Sequence, residues 1–179
     1  LNRTAEQWMT AYQDGEEEAL EHIYTLYREP LYSFLYRYTR DENFSVDVVQ
    51  DTFVKLQIHK LQYSAERGTV KTYLFQIAYR IMINKLNRRK KWRSLLPFLA
   101  PYQPETFSAE DKMTIQEAVA KLPELHRAVV LLYYYHDLPQ TEISTILDIP
   151  LGTVKSRLHK AIQKLKEEVE VSMDEEKSL

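Results

Sequence analysis

Three sets of polar side chains in this sequence have types and spacings that could do chemistry. In the first, Gln76, Arg80, Asn84, Asn87 and Lys91 recur every three or four residues, so they share one stripe if the segment is helical, and the run Arg88, Arg89, Lys90, Lys91 closes it. Amide and guanidinium groups can present donors to base edges, while cations neutralise phosphate around them. In the second, Ser156, His159, Lys160 and Gln163, flanked by Lys155 and Arg157, lie opposite an apolar face of Val154, Leu158, Ala161, Ile162 and Leu165. A helix divided in that way can anchor by one face and read DNA with the other. In the third, VDVVQDTF from Val46 to Phe53, helical spacing turns Val46, Val49 and Phe53 inward and leaves Asp47, Gln50 and Asp51 on an acidic outer stripe. Each set, taken alone, also describes a solvated helix face.

Charge placement bears on that choice. The formal net charge is only -2, yet Arg80 to Arg93 holds seven Lys or Arg and no acid, and Lys155 to Lys166 holds five more and no acid. Against these stands Glu167 to Leu179, with six acids and one lysine. Local charge steers polyanions, so the near-neutral total conceals two basic stripes and an acidic tail. Other classes recede. No apolar run approaches the roughly 18 residues of a membrane span. With no cysteine there is no disulfide framework, which fits a reducing compartment, and no secretory signal pattern opens the chain; a cytoplasmic location is expected. The five histidines lack metal-ligand spacing and neither a glycine-rich phosphate loop nor a nucleophile motif occurs, so no metal, cofactor, small-molecule substrate or enzymatic site is expected.

The elements that must position these groups are helices. Only three glycines occur and three-four apolar spacing recurs almost throughout, which predicts an all-α chain. Leu20, Ile23, Tyr24, Tyr27, Leu31, Leu35 and Tyr38 mark a first helical region with a break or kink at Pro30. A second helix follows with Ser45 as its N-cap, and a third begins after Gly68 and runs through Lys91. The segment 93–111 holds three of the seven prolines, which predicts a linker between two small helical domains, 1–92 and 112–171, with an acidic tail at 172–179. The linker is unusually apolar, with Leu95, Leu96, Phe98, Leu99 and Tyr102. Beyond it the spacing predicts helices over 113–122, 125–135, 140–147 and 151–171. Within PQTEISTILDIPLGTVKSRLHKA, residues 139–161, two helical segments are joined by a very short turn, and Pro150 is placed to start the second; this is helix-turn-helix spacing.

At these residues the sequence resembles a known family. LPELHRAVVLLYYYHDLPQTEISTILDIPLGTVKSRLHKAIQKLKE, residues 122–167, is similar to the fourth conserved region of bacterial RNA polymerase sigma factors of the extracytoplasmic-function (ECF) group. VDVVQDTF and KTYLFQIAYRIMINKLNRRKK, within residues 17–92, resemble the second conserved region of the same factors. The resemblance implies a region 2 helical bundle and a region 4 helix-turn-helix bundle that together direct core RNA polymerase to promoters. It implies that Lys155, Ser156, His159 and Lys160 face the upstream promoter element while Arg157 grips phosphate. It implies too that Gln76, Arg80, Asn84, Asn87, Arg88, Arg89 and Lys91 meet the downstream element, and that the helix bearing Asp47, Gln50 and Asp51 docks on the polymerase.

In the loop 62–68 the family captures a flipped base, and Tyr63 is the aromatic offered for stacking. Core polymerase, promoter DNA and an anti-sigma factor, commonly membrane-anchored in this group, are the partners implied. The chain departs from the family pattern at Pro139, where a serine or threonine cap is common, and at Tyr73, Arg80 and Asn84, where Trp, Asn and Asp are common. Arg80 replaces a neutral reader by a cation, so the downstream element read here is expected to differ. A helix-turn-helix regulator that binds duplex DNA without polymerase is the competing reading, and it has no need of the VDVVQDTF helix.

Overall fold

The computed structural model describes residues 3–95 and 114–176, with side chains described for 3–94 and 114–168. The expected linker from residue 96 onward and the side chains of the acidic tail lie outside the described residues. Among the described residues there are eight α-helices and no strand.

In the first half, α1 (Ala5–Gln13) starts at a reciprocal capping box between Thr4 and Gln7. The next helix, α2 (Ala19–Thr39), runs through Pro30 without ending, where a break or kink is expected from sequence. The carbonyl that a proline at 30 leaves unbonded belongs to Leu26, which is exposed, so water can satisfy it. The third helix, α3 (Glu42–Ile58), is capped by Asp41, whose side chain accepts from the Phe44 amide at 2.9 Å. Ser45, expected as the cap, lies instead inside the first turn, fully buried, with its hydroxyl donating to the Asp41 carbonyl at 2.7 Å. Asp and Ser are comparable caps, and the choice fell to the residue that leaves Phe44 and Ser45 facing the core. Two single 3₁₀ turns, Lys60–Gln62 and Ala65–Arg67, lead to α4 (Val70–Leu95), whose length carries it three residues past the expected boundary at 92.

In the second half, α5 (Ile115–Lys121) begins at a capping box of Thr114 and Glu117. It is followed by α6 (Glu124–Val130), which widens into a π-helical turn over Leu131–Tyr135. The helix-turn-helix is α7 (Gln140–Leu147) and α8 (Leu151–Glu176). Pro139 supplies no side-chain cap, but its carbonyl accepts from the Glu142 and Ile143 amides at 2.9 and 3.0 Å, so the first turn forms without one. Between the two helices Asp148 takes a left-handed conformation, φ 55°, and the Ser144 hydroxyl donates to the Ile149 carbonyl at 2.5 Å. A short polar residue tolerates that φ better than a branched one would.

The two halves are not separate cores. Phe34, Leu35, Leu74 and Phe75 belong to the same contiguous cluster of buried side chains as Val130, Leu132, Ile143 and Leu158. Burying rings such as Phe34 and Phe75 is worth roughly 1.5–3 kcal/mol each. The joint between halves lies mainly where α4 meets α7 and where α2 meets the π-turn and α5.

Candidate nucleic-acid interface

The basic face of α8 is positioned by burial of its opposite side. Val154, Leu158 and Ala161 are buried against the rest of the second half, and Ile162 and Leu165 are half-buried. Lys155, Ser156, His159 and Lys160 are consequently all exposed on one face. Arg157 is not on that face: it is half-buried, close enough to Tyr79 of α4 and His126 of α6 to influence both electrostatically. Burial, then the positive charges of Lys164, Arg157 and Lys160, push the His126 imidazole below its usual range. Both its ring nitrogens lack a hydrogen-bond partner. Sequence periodicity gave no hint of this neighbour, because His126 approaches α8 from a separate helix.

Along α4 the expected stripe is split. Leu74, Phe75, Ile77, Ala78 and Met82 are buried and Ile81 is half-buried, which turns the polar positions outward. At the N-terminal end of the stripe that outward side meets α7. Gln76 donates to the Thr145 carbonyl at 2.8 Å and Arg80 lies 3.9 Å from the Asp148 carboxylate. Toward the C-terminal end Asn84, Asn87, Arg88 and Lys91 are exposed. Arg89 pairs with the capping carboxylate of Asp41 at 3.0 Å and sits over the Phe44 ring at 4.4 Å. The Asp41 carboxyl is held below its usual range chiefly by the Phe44 amide, with Arg89 adding to it against the opposing effect of burial. Lys90 reaches across to Glu124 of the second half at 2.6 Å.

The α3 stripe is also partly neutralised. Lys85 of α4 pairs with both Asp47 and Asp51, the latter at 2.7 Å. Burial works against the Lys85 charge, but the two carboxylates overcome it and hold the ammonium above its usual range. Gln50 stays exposed. Val46, expected to face inward, is 43% exposed; Ser45, Val48 and Thr52 take the inner positions beside Val49, Phe53 and Leu56. The inner face is centred nearer Ser45, Val48 and Thr52 than the apolar pattern implies, because the two hydroxyls are satisfied inside the helix, Ser45 donating to the Asp41 carbonyl and Thr52 to the Val48 carbonyl, each at 2.7 Å. Val46, Gln50, Val54 and Ile58 therefore form an exposed line at four-residue spacing, more apolar than the sequence pattern suggested.

Tyr63 does not offer a surface for a base. Its side chain is only 7% exposed, its ring packs 5.5 Å from that of Tyr73, and its hydroxyl has no hydrogen-bond partner. The loop is pinned from α1, where the Gln13 amide donates to the carbonyls of Lys60 and Tyr63 at 2.8 and 3.0 Å. An aromatic residue in a polar loop looks exposed from sequence; the long-range anchor at Gln13 reversed that here.

The sequence and the fold are both similar to known proteins. Residues 23–93 match the family model of Sigma-70 region 2, and residues 112–165 that of Sigma-70 region 4. Over 153 residues, 82% of this chain and 93% of the relative, the sequence is 30% identical to ECF RNA polymerase sigma factor SigM of Bacillus subtilis (strain 168). It is 27% identical over 171 residues to SigW of the same organism, covering 87% of this chain and 91% of that protein. The fold is similar to the sigma factor RpoE solved with the anti-sigma factor NepR from Bartonella quintana, with TM-score 0.71 and 19% identity over 84% of this chain and 96% of that one. It is also similar to CnrH solved with the cytosolic domain of CnrY, with TM-score 0.68 and 21% identity over 93% and 95% of the two chains. With region 2 and region 4 both in place and the likeness running nearly end to end, the chain belongs to the ECF family of RNA polymerase sigma factors.

Proposed function

We propose that this initiation factor divides its work between residues 1–92 and 112–171. In the first unit the α3 face built on Gln50, with Asp47 and Asp51 beside it, docks on core RNA polymerase. The α4 stripe of Gln76, Arg80, Asn84 and Asn87 reads the downstream element, with Arg88, Arg89 and Lys91 on phosphate. In the second unit Lys155, Ser156, His159 and Lys160 read the upstream element in the major groove. The amide groups of Leu151 and Gly152 at the start of α8 meet its phosphates, helped by Arg157. The observation that carries the reading is the exposed, acid-free face of α8 set on a helix-turn-helix, in a chain that also holds the second basic helix. Strand opening needs no chemistry from the protein, since holding an unstacked base from breathing DNA shifts that equilibrium. Control by an anti-sigma factor is part of the proposal, supported by the partners named for the solved relatives. A cytoplasmic location fits the absence, among the described residues, of any helix long and apolar enough to cross a membrane.

Run-off transcription with sigma-free bacterial core polymerase on a pool of genomic promoter fragments tests this. Discrete start sites only in the presence of the protein are the expected result. Binding of duplex fragments with neither initiation nor co-elution with core would instead make it a regulator that acts without polymerase.

A further inference from the structure

The two acids of the α3 face are already engaged inside the chain. The half-buried Lys85 of α4 pairs with Asp51 at 2.7 Å and with Asp47 as well. Drawing both carboxylates away to a partner would leave that ammonium, partly out of water, without compensation. One cation shared by two acids leaves a single residual negative charge, on the side of α3 that faces α4. What stands free beside it is neutral. Val54 is 51% exposed and Ile58 70%, and Gln50 is the one polar member of the line that runs to them from Val46. Leu61, in the 3₁₀ turn that follows the helix, is 76% exposed. On the α2 side the exposed Tyr24 ring stands edge-on to Phe53 at 4.8 Å. Exposed apolar side chains are ordinary one at a time, but several in succession along one helix mark a surface that a partner covers.

We propose that the contact of α3 with core RNA polymerase is apolar, carried by Val54 and Ile58 with Gln50 fixing its orientation, while Asp47 and Asp51 serve the joint between α3 and α4 through Lys85. This rests on the assignment of the α3 face to polymerase docking. It names the chemistry the partner offers there: an apolar ridge with a carbonyl or amide for Gln50, not a row of basic groups. Exchanging an existing ion pair for a new one across the contact gains little, since pairs at such exposure are weak and salt screens them. Covering Val54 and Ile58 gives up no bond, and removal of such side chains from water is the larger effect. Gln50 can both donate and accept, so it sets the register of the contact without adding charge. The hold on polymerase at α3 then withstands salt that loosens the phosphate contacts of the basic helices.

The test measures the affinity of the full chain for sigma-free core polymerase, by anisotropy of a labelled chain, at about 0.1 M and about 0.4 M salt, where screening differs. One form carries Val54→Gln with Ile58→Gln. Both positions are exposed and glutamine is a good helix former, so thermal unfolding of this form is expected to be unchanged. Its binding to core is expected to weaken at least about tenfold, by the same factor at both salt concentrations. The other form carries Asp47→Asn with Asp51→Asn, which keeps shape and removes both charges, and is expected to lose about threefold or less. A loss from the asparagine pair that equals or exceeds the loss from the glutamine pair overturns the proposal, because the acids would then have left Lys85 for a basic partner. Full binding by the glutamine pair overturns it too. Failure of the initiation-factor reading itself would appear separately, as no binding to core and no transcription with the unaltered chain, and would remove the proposal with it.

Discussion

The two basic helices of this protein carry similar side chains and meet different fates. On α8, Lys155, Ser156, His159 and Lys160 stand on a face that no other described residue covers, and the buried side of the helix is a plain apolar stripe. On α4 the helix is buried by more of its circumference, packed against α2, α3 and α7, and two of the five residues of its polar stripe, Gln76 and Arg80, face protein acceptors. The difference teaches that donor-rich stripes are not specific to DNA. A guanidinium or amide is satisfied by a carboxylate or a carbonyl, and which one it meets is set by what the rest of the chain brings alongside.

The largest break in that comparison comes from the shared core. Phe75 is fully buried and its ring lies 5.1 Å from that of His136 in the second half, so Phe75→Ala is expected to cost about 3–5 kcal/mol in chemical denaturation and to loosen the two halves together. A loss confined to the first half would show the halves to be energetically independent.

Acid comes next. Burial first, then the positive charges of Lys71 and Arg37 against the smaller opposing effect of Asp137, push the His136 imidazole from 6.5 down to about 4. Above about pH 6.5 the imidazole is neutral in both the packed and the released state and the packing is unaffected. As pH falls from there toward 4, the released state takes up a proton that the packed state refuses, and up to about 3 kcal/mol of packing is lost. Stability measured from pH 7.5 to 4.5 should therefore fall less steeply in His136→Ala than in the unaltered chain, even if the substitution lowers stability at neutral pH.

On the uncovered helix, Lys160→Ala is expected to cost about 1–3 kcal/mol on those upstream elements that present guanine to it, and far less on others. Equal loss on every duplex would reduce Lys160 to a phosphate contact. The smallest expected effect compares neighbours in the cationic run of α4. Arg88→Ala should lower the salt slope of promoter binding by about 0.9, the value for one phosphate contact. Arg89 is already engaged by Asp41 and Phe44, so Arg89→Ala should lower the slope by less.

Much of this was legible in advance. Apart from α1, which was not anticipated, the spacing of apolar residues located the helices to within a few residues, because amphipathic periodicity is imposed by burying one side of a helix whatever it packs on. The helix-turn-helix was legible because its turn is local: Asp148, Ile149 and Pro150 carry their own geometry. The exposed readers of α8 followed from the same periodicity. Two expectations failed for different reasons. Val46 faces out because Ser45 and Thr52, polar by type, are buried with their hydroxyls bonded to carbonyls one turn earlier, which shifts the inner face away from Val46. Tyr63 is covered because Gln13, fifty positions away, holds its loop down.

By itself, then, the sequence determined an all-helical chain, the start of each basic helix, and the two basic stripes, since these depend on residue types within a few turns of one another. Only the tertiary structure decided which donors are available. Gln76 and Arg80 face protein acceptors, and Lys85 pairs with Asp47 and Asp51. Each of these pairings joins residues from different helices, and short-range periodicity carries no information about which helix faces which; that is settled by how the apolar faces fill one common core.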